Sequence, residues 1–420
     1  MIFLYLVTLL IAPQLWVEPF VGIRVDLIVY PTWLIILGMK GRLNDFFNFQ
    51  TIDYFIIGYI VWTLLSVIVN DSNSFTNNLV SDYIKWFVLY RLVFLSADNI
   101  EGVQKAVSRM VFLVFVIVLE GIQHKLDPMG LGWAGQPLGW VDQSVIDAGG
   151  TGRTQWINIF DGPGVFCVMY TLALPFVIQY FDKQYTLGKK LVSVISLLPL
   201  LIAIWYTGSR GGFLAALSVF GGYILFRTAS KLKLSLTKLI MIGVLCFSVL
   251  LAAPSYLTQV KDENNSAQHR VDMWMEGIEM VQQNPLFGIG RGNYALYTGT
   301  LIAHNSSIQN MGELGFPGLF FWIGMFYVAF RYLYFFSTTT ADQYHGSLAK
   351  AMALCLIGYL VSSMFVTLEY ETQFFLLGLT AIFGKSLKVE YKFGARDFYI
   401  IASICLGWYA VLRIFTSLYY

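Results

Sequence analysis

What most limits the folds open to this chain is a long succession of apolar runs, each about as long as a bilayer is thick. A helix needs about 20 largely apolar residues to cross a hydrocarbon core of ~30 Å. By that ruler the sequence offers spans near 2–17, 25–39, 51–69, 79–97, 107–123, 159–181, 190–207, 212–227, 238–253, 314–334, 348–367, 372–386 and 397–416. The expected fold is all-α: a polytopic membrane protein with about 12–13 transmembrane helices. Composition agrees, since 57% of the residues are hydrophobic, only 12% are charged, and mean hydropathy is +0.64. Soluble domains carry about 25% charged residues. A net charge of +2, with no Lys/Arg-rich run interleaved with aromatics, gives no footprint for nucleic acid.

The cysteines Cys167, Cys246, Cys355 and Cys405 each sit inside an apolar run, without CxxC spacing or a histidine at ligand spacing. They read as small buried hydrophobes rather than disulfides or metal ligands. Residues 1–17 lack a basic leader region and an A-x-A cleavage site, so they are expected to remain as a first helix. No internal repeat is evident, and 1–420 is expected to form a single transmembrane domain.

Basic residues in the loops set the orientation. Alternate loops hold Lys40 and Arg42; Lys105 and Arg109; Lys183, Lys189 and Lys190; Arg227, Lys231, Lys233 and Lys238; Arg331 and Lys350; and Lys385, Lys388, Lys392 and Arg396. The opposite loops hold far fewer: Arg24, Lys125, Arg153, Arg210, Lys261, Arg270 and Arg291. The richer set is expected in the cytoplasm, so two long loops face outward. One, at 124–158, is rich in glycine and tryptophan; its Trp rings suit either interfacial anchoring or stacking on sugars. The other is the longest polar interruption in the chain, Leu257 to Gly318, and 254–313 is expected to be a large periplasmic-side catalytic loop that overlaps it.

Within that second loop Val271, Trp274, Met275 and Ile278 recur at i, i+3, i+4, i+7, with Asp272, Glu276 and Glu279 on the other side. The spacing predicts an amphipathic helix of about four turns along the membrane surface, stopped at Asn284-Pro285. Gly288-Ile-Gly-Arg-Gly292 lacks the preceding strand and the spacing of a dinucleotide site. A turn there would still bring backbone N–H groups and Arg291 near an anion.

Ionisable groups at membrane boundaries are costly and tend to be paired or functional. Arg210 lies in Trp205-Tyr-Thr-Gly-Ser-Arg-Gly-Gly-Phe-Leu214, a glycine turn between two spans with no acid close in sequence. It reads either as a snorkelling side chain or as an anion clamp, because guanidinium matches the fork of a phosphate. His304 stands before Asn305-Ser306-Ser307 and a span entered at Glu313. Its imidazole, with an ordinary pKa near 6.5, can take a proton from a hydroxyl, and Asn305 or Glu313 are candidates to orient it. Glu369 and Glu371 in Leu368-Glu-Tyr-Glu-Thr372 read as solvated loop acids, a weak signal for a base or metal site. Lys85 and Arg91 fall within an apolar span beside Trp86 and Tyr90, facing a cavity or lying in the interface.

Thr207-Gly-Ser-Arg-Gly-Gly212, Arg270 with Trp274, Asn284-Pro-Leu-Phe-Gly-Ile-Gly290 and His304-Asn-Ser-Ser-Ile-Gln-Asn-Met-Gly-Glu313 together resemble the shared region of the O-antigen ligase/polymerase family, over about 204–322. The resemblance implies a glycosyltransferase of GT-C-like architecture in the bacterial inner membrane, active at its periplasmic face. Such enzymes take a glycan from an undecaprenyl-diphosphate donor and pass it to a hydroxyl of another glycan, of lipid A-core or of a protein. They are metal-independent, need no cofactor, and generally invert the anomeric centre. Arg210 matches the family's motif arginine and His304 its loop histidine. Arg270 and Arg291 match more loosely as further diphosphate ligands, with Asn305 and Glu313 in support.

The residues suit that chemistry: preorganised arginines stabilise the charge that develops on a departing diphosphate. A competing reading from another class is a transporter or flippase for a lipid-linked sugar. It would call for inverted repeats and polar groups deep in the spans, whereas the cations here sit at the outer ends. A membrane scaffold is the third reading.

Overall fold

A computed structural model describes residues 1–70, 76–127, 139–141, 152–156, 158–160, 162–232, 266–299 and 301–419. The main helices are α1 (Ile2–Leu6), α2 (Val25–Met39), α3 (Thr51–Val69), α4 (Thr76–Ala97), α5 (Ile100–Leu126), α6 (Pro163–Ile178), α7 (Leu187–Tyr206) and α8 (Arg210–Leu232). Then come α9 (Ser266–Gln283), α10 (Tyr294–Thr298), α11 (Ser306–Thr339), α12 (Gln343–Ser363), α13 (Glu371–Lys385) and α14 (Ala395–Tyr419). Strands β1 (Gly139–Val141) and β2 (Thr154–Trp156) form one antiparallel pair with Trp140 opposite Gln155.

Among the described residues eight helices are long and apolar enough to cross a membrane: α3, α5, α6, α7, α8, α11, α12 and α14. The all-α polytopic fold is as expected, but five of the thirteen expected spans are not among these eight. The run at 2–17 stops early because Ala12 is left-handed (φ 52°) before Pro13. Its α1 and following π-turn end in carbonyls that Trp156 Nε1–H (to Leu10 O, 2.7 Å) and Asn158 Nδ2–H (to Leu9 O, 2.9 Å) satisfy. α2 and α13 have 15 residues each, ~22 Å at 1.5 Å per residue, short of a full crossing. α4 carries Asp82, Lys85 and Arg91, too many charges for a plain span. The run at 238–253 and Cys246 lie outside the described residues.

The described chain divides into two compact units. The first comprises Met1–Gln50, Trp86–Gly221 and Ala329–Tyr391; the second comprises Thr51–Lys85, Gly222–Val328 and Lys392–Tyr420.

In the first unit α6 is the core helix, buried from Phe166 to Ile178 and packed on α5, α7 and α12. α12 is rich in buried small residues (Gly346, Ser347, Ala349, Ala351, Ala353, Cys355, Gly358), which let neighbouring backbones approach without a large side chain between them. Trp156 from β2 is fully buried and stacks on Phe166 (5.6 Å, 4°), so it is a packing residue and not a sugar platform. α7, by contrast, exposes Leu187, Leu191, Val194, Ile195 and Leu198, the surface a lipid-facing helix needs. Arg91 is wholly buried: it donates to the carbonyls of Asp45 (2.7 Å) and Asn48 (3.2 Å) and lies over Phe94 (4.8 Å), Phe49 (5.4 Å) and Phe46 (5.7 Å). It ties the turn at 43–49 to its helix rather than facing a cavity.

In the second unit aromatics supply much of the packing, with Phe55 meeting Phe320, Phe321 and Phe393, and Phe320 meeting Phe398. The amphipathic α9 buries Val271, Trp274 and Ile278 as the spacing predicts, while Met275 is exposed. Its apolar face packs on α14 through Trp274–Phe415 (5.9 Å), with Gln282 Nε2–H donating to Tyr409 Oη (3.0 Å). Protein, not a membrane surface, covers that face.

Candidate functional site

The first unit explains the Thr207–Gly212 motif residue by residue. Thr207 ends α7, its hydroxyl donating to Ile204 O (2.7 Å). Gly208 turns the chain with φ +57°, and a side chain there would also press on Arg153. Ser209 caps α8, accepting Gly212 N–H at 3.1 Å, and Arg210 is the first residue of that helix, exposed. Arg210 therefore stands at the positive end of the helix dipole.

Two further cations share this turn. Arg153 Nε–H donates to Thr207 O (2.9 Å) and its Nη2–H to Gly208 O (3.1 Å), clasping the motif's carbonyls. Lys125, at the end of α5, donates to Gly152 O, one residue before Arg153, and lies 5.9 Å from the Tyr206 ring centroid. Burial, and then the charge of Arg210, hold the Arg153 pKa below its ordinary value, so the two guanidiniums feel each other. Among the described residues none of Lys125, Arg153 and Arg210 has an ion-pair partner. Three converging cations without a carboxylate fit a multiply charged anion. Sequence reasoning missed Arg153 and Lys125 as site residues. The 54-residue gap between Arg153 and Thr207 hides the contact, and the only local signal was a basic residue after Gly149-Gly-Thr-Gly.

The second unit holds the other named residues. α11 breaks at Gly315 (φ 68°, ψ −169°), leaving carbonyls without helical partners. The 285–290 loop supplies them: Ile289 N–H donates to Gly312 O (3.1 Å) and Gly290 N–H to Glu313 O (3.0 Å). Trp62 Nε1–H takes Leu314 O (2.9 Å). Gly288, at φ +63°, lies so close to the Glu313 backbone that any Cβ would collide with it. The glycines of 288–292 thus serve a loop laid over a helix break. Arg291, 6% exposed, pairs with Glu313 (Nη1 to Oε2, 3.1 Å) and lies 5.8 Å from the Tyr83 ring centroid. Glu313 Oε1 also accepts Tyr294 N–H (3.1 Å). Charge neutralisation inside the unit therefore accounts for both residues.

His304 is half-buried and left-handed (φ 49°). Its turn is pinned on both sides. Trp274 Nε1–H donates to Ala303 O (3.0 Å), and Asn305 Oδ1 accepts from Ser307 N–H (3.0 Å), Ser307 Oγ–H (2.6 Å) and Ile308 N–H (3.3 Å). Asn305 is thus spent as the cap of α11 and does not orient the imidazole by a hydrogen bond; nor does Glu313. Among the described residues no hydrogen bond to His304 is recorded. Burial, and then the charge of Arg270, hold its pKa below 6.5, which keeps the ring neutral and able to accept a proton. A non-glycine residue held at positive φ costs about 1–2 kcal/mol, and such strain clusters at functional positions. His304→Gly should therefore melt no lower than His304→Ala and have no transfer activity; a glycine variant that unfolds more readily would show that the turn is unstrained.

Glu369 is 5% exposed, a buried group rather than the solvated loop acid expected. Residues 195–323 match the family model described as O-antigen ligase, covering both the Thr207–Gly212 turn and the His304–Glu313 stretch. No curated protein matches the chain.

Proposed function

We propose, from the match of residues 195–323 to the O-antigen ligase family model, that this chain carries out glycan transfer of that type, using a polyprenyl-diphosphate-linked donor and a hydroxyl acceptor at the outer face of the inner membrane. The observation that carries the donor assignment is the turn where Arg210, Arg153 and Lys125 converge without a carboxylate partner among the described residues. Arg210 and Arg153 hold the diphosphate, with Lys125 beside them. Arg291, already paired with Glu313, holds its loop.

In this mechanism His304 takes the proton of the acceptor hydroxyl as its oxygen forms a bond to the anomeric carbon. The bond from that carbon to the diphosphate oxygen breaks on the opposite face, inverting the centre. The electron pair leaves on the lipid diphosphate, whose growing charge arginine and lysine side chains stabilise. A free, neutral imidazole and an uncompensated cationic turn support this division of labour.

As a base, His304 must be neutral. Its lowered pKa keeps it so until the pH falls below the ordinary 6.5, and the acid limb of the transfer rate should lie below that value. Arg270→Gln removes one of the two causes of the shift, so the limb should move up towards pH 6.5. A limb that stays put or moves down would remove His304 as the titrating base.

The glycan profile of a strain lacking the protein, complemented with wild type or His304→Ala, tests the reaction class. Single repeats on the normal acceptor mean a polymerase, and full-length glycan stranded on the carrier means a ligase. Complementation by His304→Ala equal to wild type would remove the histidine from the chemistry.

A further inference from the structure

A second candidate site lies in the first unit, towards the other end of α7 from the Arg210 turn. α7 spans 20 residues, about 30 Å at 1.5 Å per residue. Near its start a cleft of about 230 Å³ opens between α5 and α7, with the end of α6 and the start of α12 behind it. Its walls include Val107, Val111, Phe115, Phe176 and Ser196. The flanking surface is apolar and exposed: Phe112 on α5, and Leu191, Val192 and Ile195 on α7. These walls match an acyl chain entering sideways from a bilayer.

The mouth has the opposite character. Tyr180 and Tyr185 line it, and the Lys189 ammonium lies 5.8 and 5.3 Å from their ring centroids. Lys105, Arg109, Lys183 and Lys190 belong to the same helix ends. Asp182, the acid of the neighbouring turn, accepts Ser347 Oγ–H at 2.6 Å. Inside, Gln179 is 7% exposed; its Nε2–H donates to Phe176 O (3.1 Å), while its Oε1 is buried with no partner among the described residues. A buried acceptor of this kind calls for a ligand that brings a donor.

We propose that this cleft binds an anionic phospholipid with a hydroxylated headgroup, of which phosphatidylglycerol is the simplest. One acyl chain fills the cleft, the phosphate meets Lys189, and a headgroup hydroxyl donates to Gln179 Oε1. Basic pockets between membrane helices attract anionic headgroups at about 1 kcal/mol per lysine or arginine near the surface, roughly fivefold in affinity. The inference does not depend on the glycan-transfer reading, because neither the lining residues nor the readout involves that chemistry.

The test is native mass spectrometry of the full chain released from nanodiscs holding equal phosphatidylglycerol and phosphatidylcholine. Wild type should retain phosphatidylglycerol about fivefold over phosphatidylcholine. Lys189→Gln should lose that preference while still holding a lipid, and Ser196→Phe, which fills the cleft without changing charge, should hold neither. Both positions are exposed or half-exposed, so the fold tolerates them. Equal retention of the two lipids by wild type would overturn the proposal. So would an unchanged preference in both variants.

Discussion

Arg210→Ala should reduce glycan transfer by about 10²–10³-fold while leaving protein abundance and melting behaviour near wild type. The size follows from removing a cation that stabilises charge developing in the transition state. The absence of a folding defect follows from its surroundings. Arg210 is exposed at the first position of α8, Ser209 supplies the cap, and no ion pair or hydrogen bond to it is recorded among the described residues. Arg210→Lys should recover only part of the rate, since an ammonium cannot offer the planar fork that spans two phosphate oxygens. Arg153→Ala should differ in kind. It removes a charge from the same turn and also frees the carbonyls of Thr207 and Gly208, so a loss of rate should come with a loss of stability of about 1–3 kcal/mol. Rates measured on purified protein, alongside a melting curve for each variant, separate the two outcomes. Equal melting losses for Arg210→Ala and Arg153→Ala would mean that Arg210 is a structural residue.

Glu313→Ala should be among the most destabilising single changes, about 3–5 kcal/mol. Removing one partner of a buried pair leaves the other charge without compensation. Glu313 is fully buried, Arg291 nearly so, and the lost carboxylate also served Tyr294 N–H. Glu313→Gln keeps an acceptor for Tyr294 but not the charge, and should sit between wild type and Glu313→Ala. Replacing both partners with apolar residues, as in Arg291→Met with Glu313→Leu, should recover much of the loss. The buried thiols of Cys167, Cys355 and Cys405 provide the readout, since a thiol-reactive fluorophore labels them only as the protein unfolds. A Glu313→Ala protein that melts with wild type would show that Arg291 draws its compensation elsewhere. Loss of stability in Glu313→Ala with full rescue of transfer by the apolar pair would confine both residues to holding the loop.

Hydropathy made the membrane class legible because the expected spans at 51–69, 159–181 and 314–334 are long and apolar enough to have few alternatives. Apolar runs and helix lengths differ at several positions. The run at 2–17 was read through Pro13, which the backbone does not pass as a helix. α13 is buried from Thr372 to Phe383 and, at 15 residues, is shorter than a full crossing needs. In the site, Arg210 and His304 were visible as polar groups in motif turns. Their surroundings were not. The pairing of Arg291 with Glu313 depends on a loop folding over the Gly315 break, and spacing alone made that same loop resemble an anion-binding turn. Asn305 was a plausible partner for its neighbour His304 until its carboxamide proved to be the cap of α11. Arg153 was hidden because its role depends on carbonyls in another segment of the chain.

The most direct test of the central claim is a reconstitution in liposomes with a synthetic polyprenyl-diphosphate-linked glycan and a hydroxyl acceptor, following lipid diphosphate and glycoside together. Wild type should release one polyprenyl diphosphate for each new glycosidic bond, and Arg210→Ala and His304→Ala should release almost none. Donor carried across the bilayer with its diphosphate linkage intact, or transfer by both variants at the wild-type rate, would contradict the account.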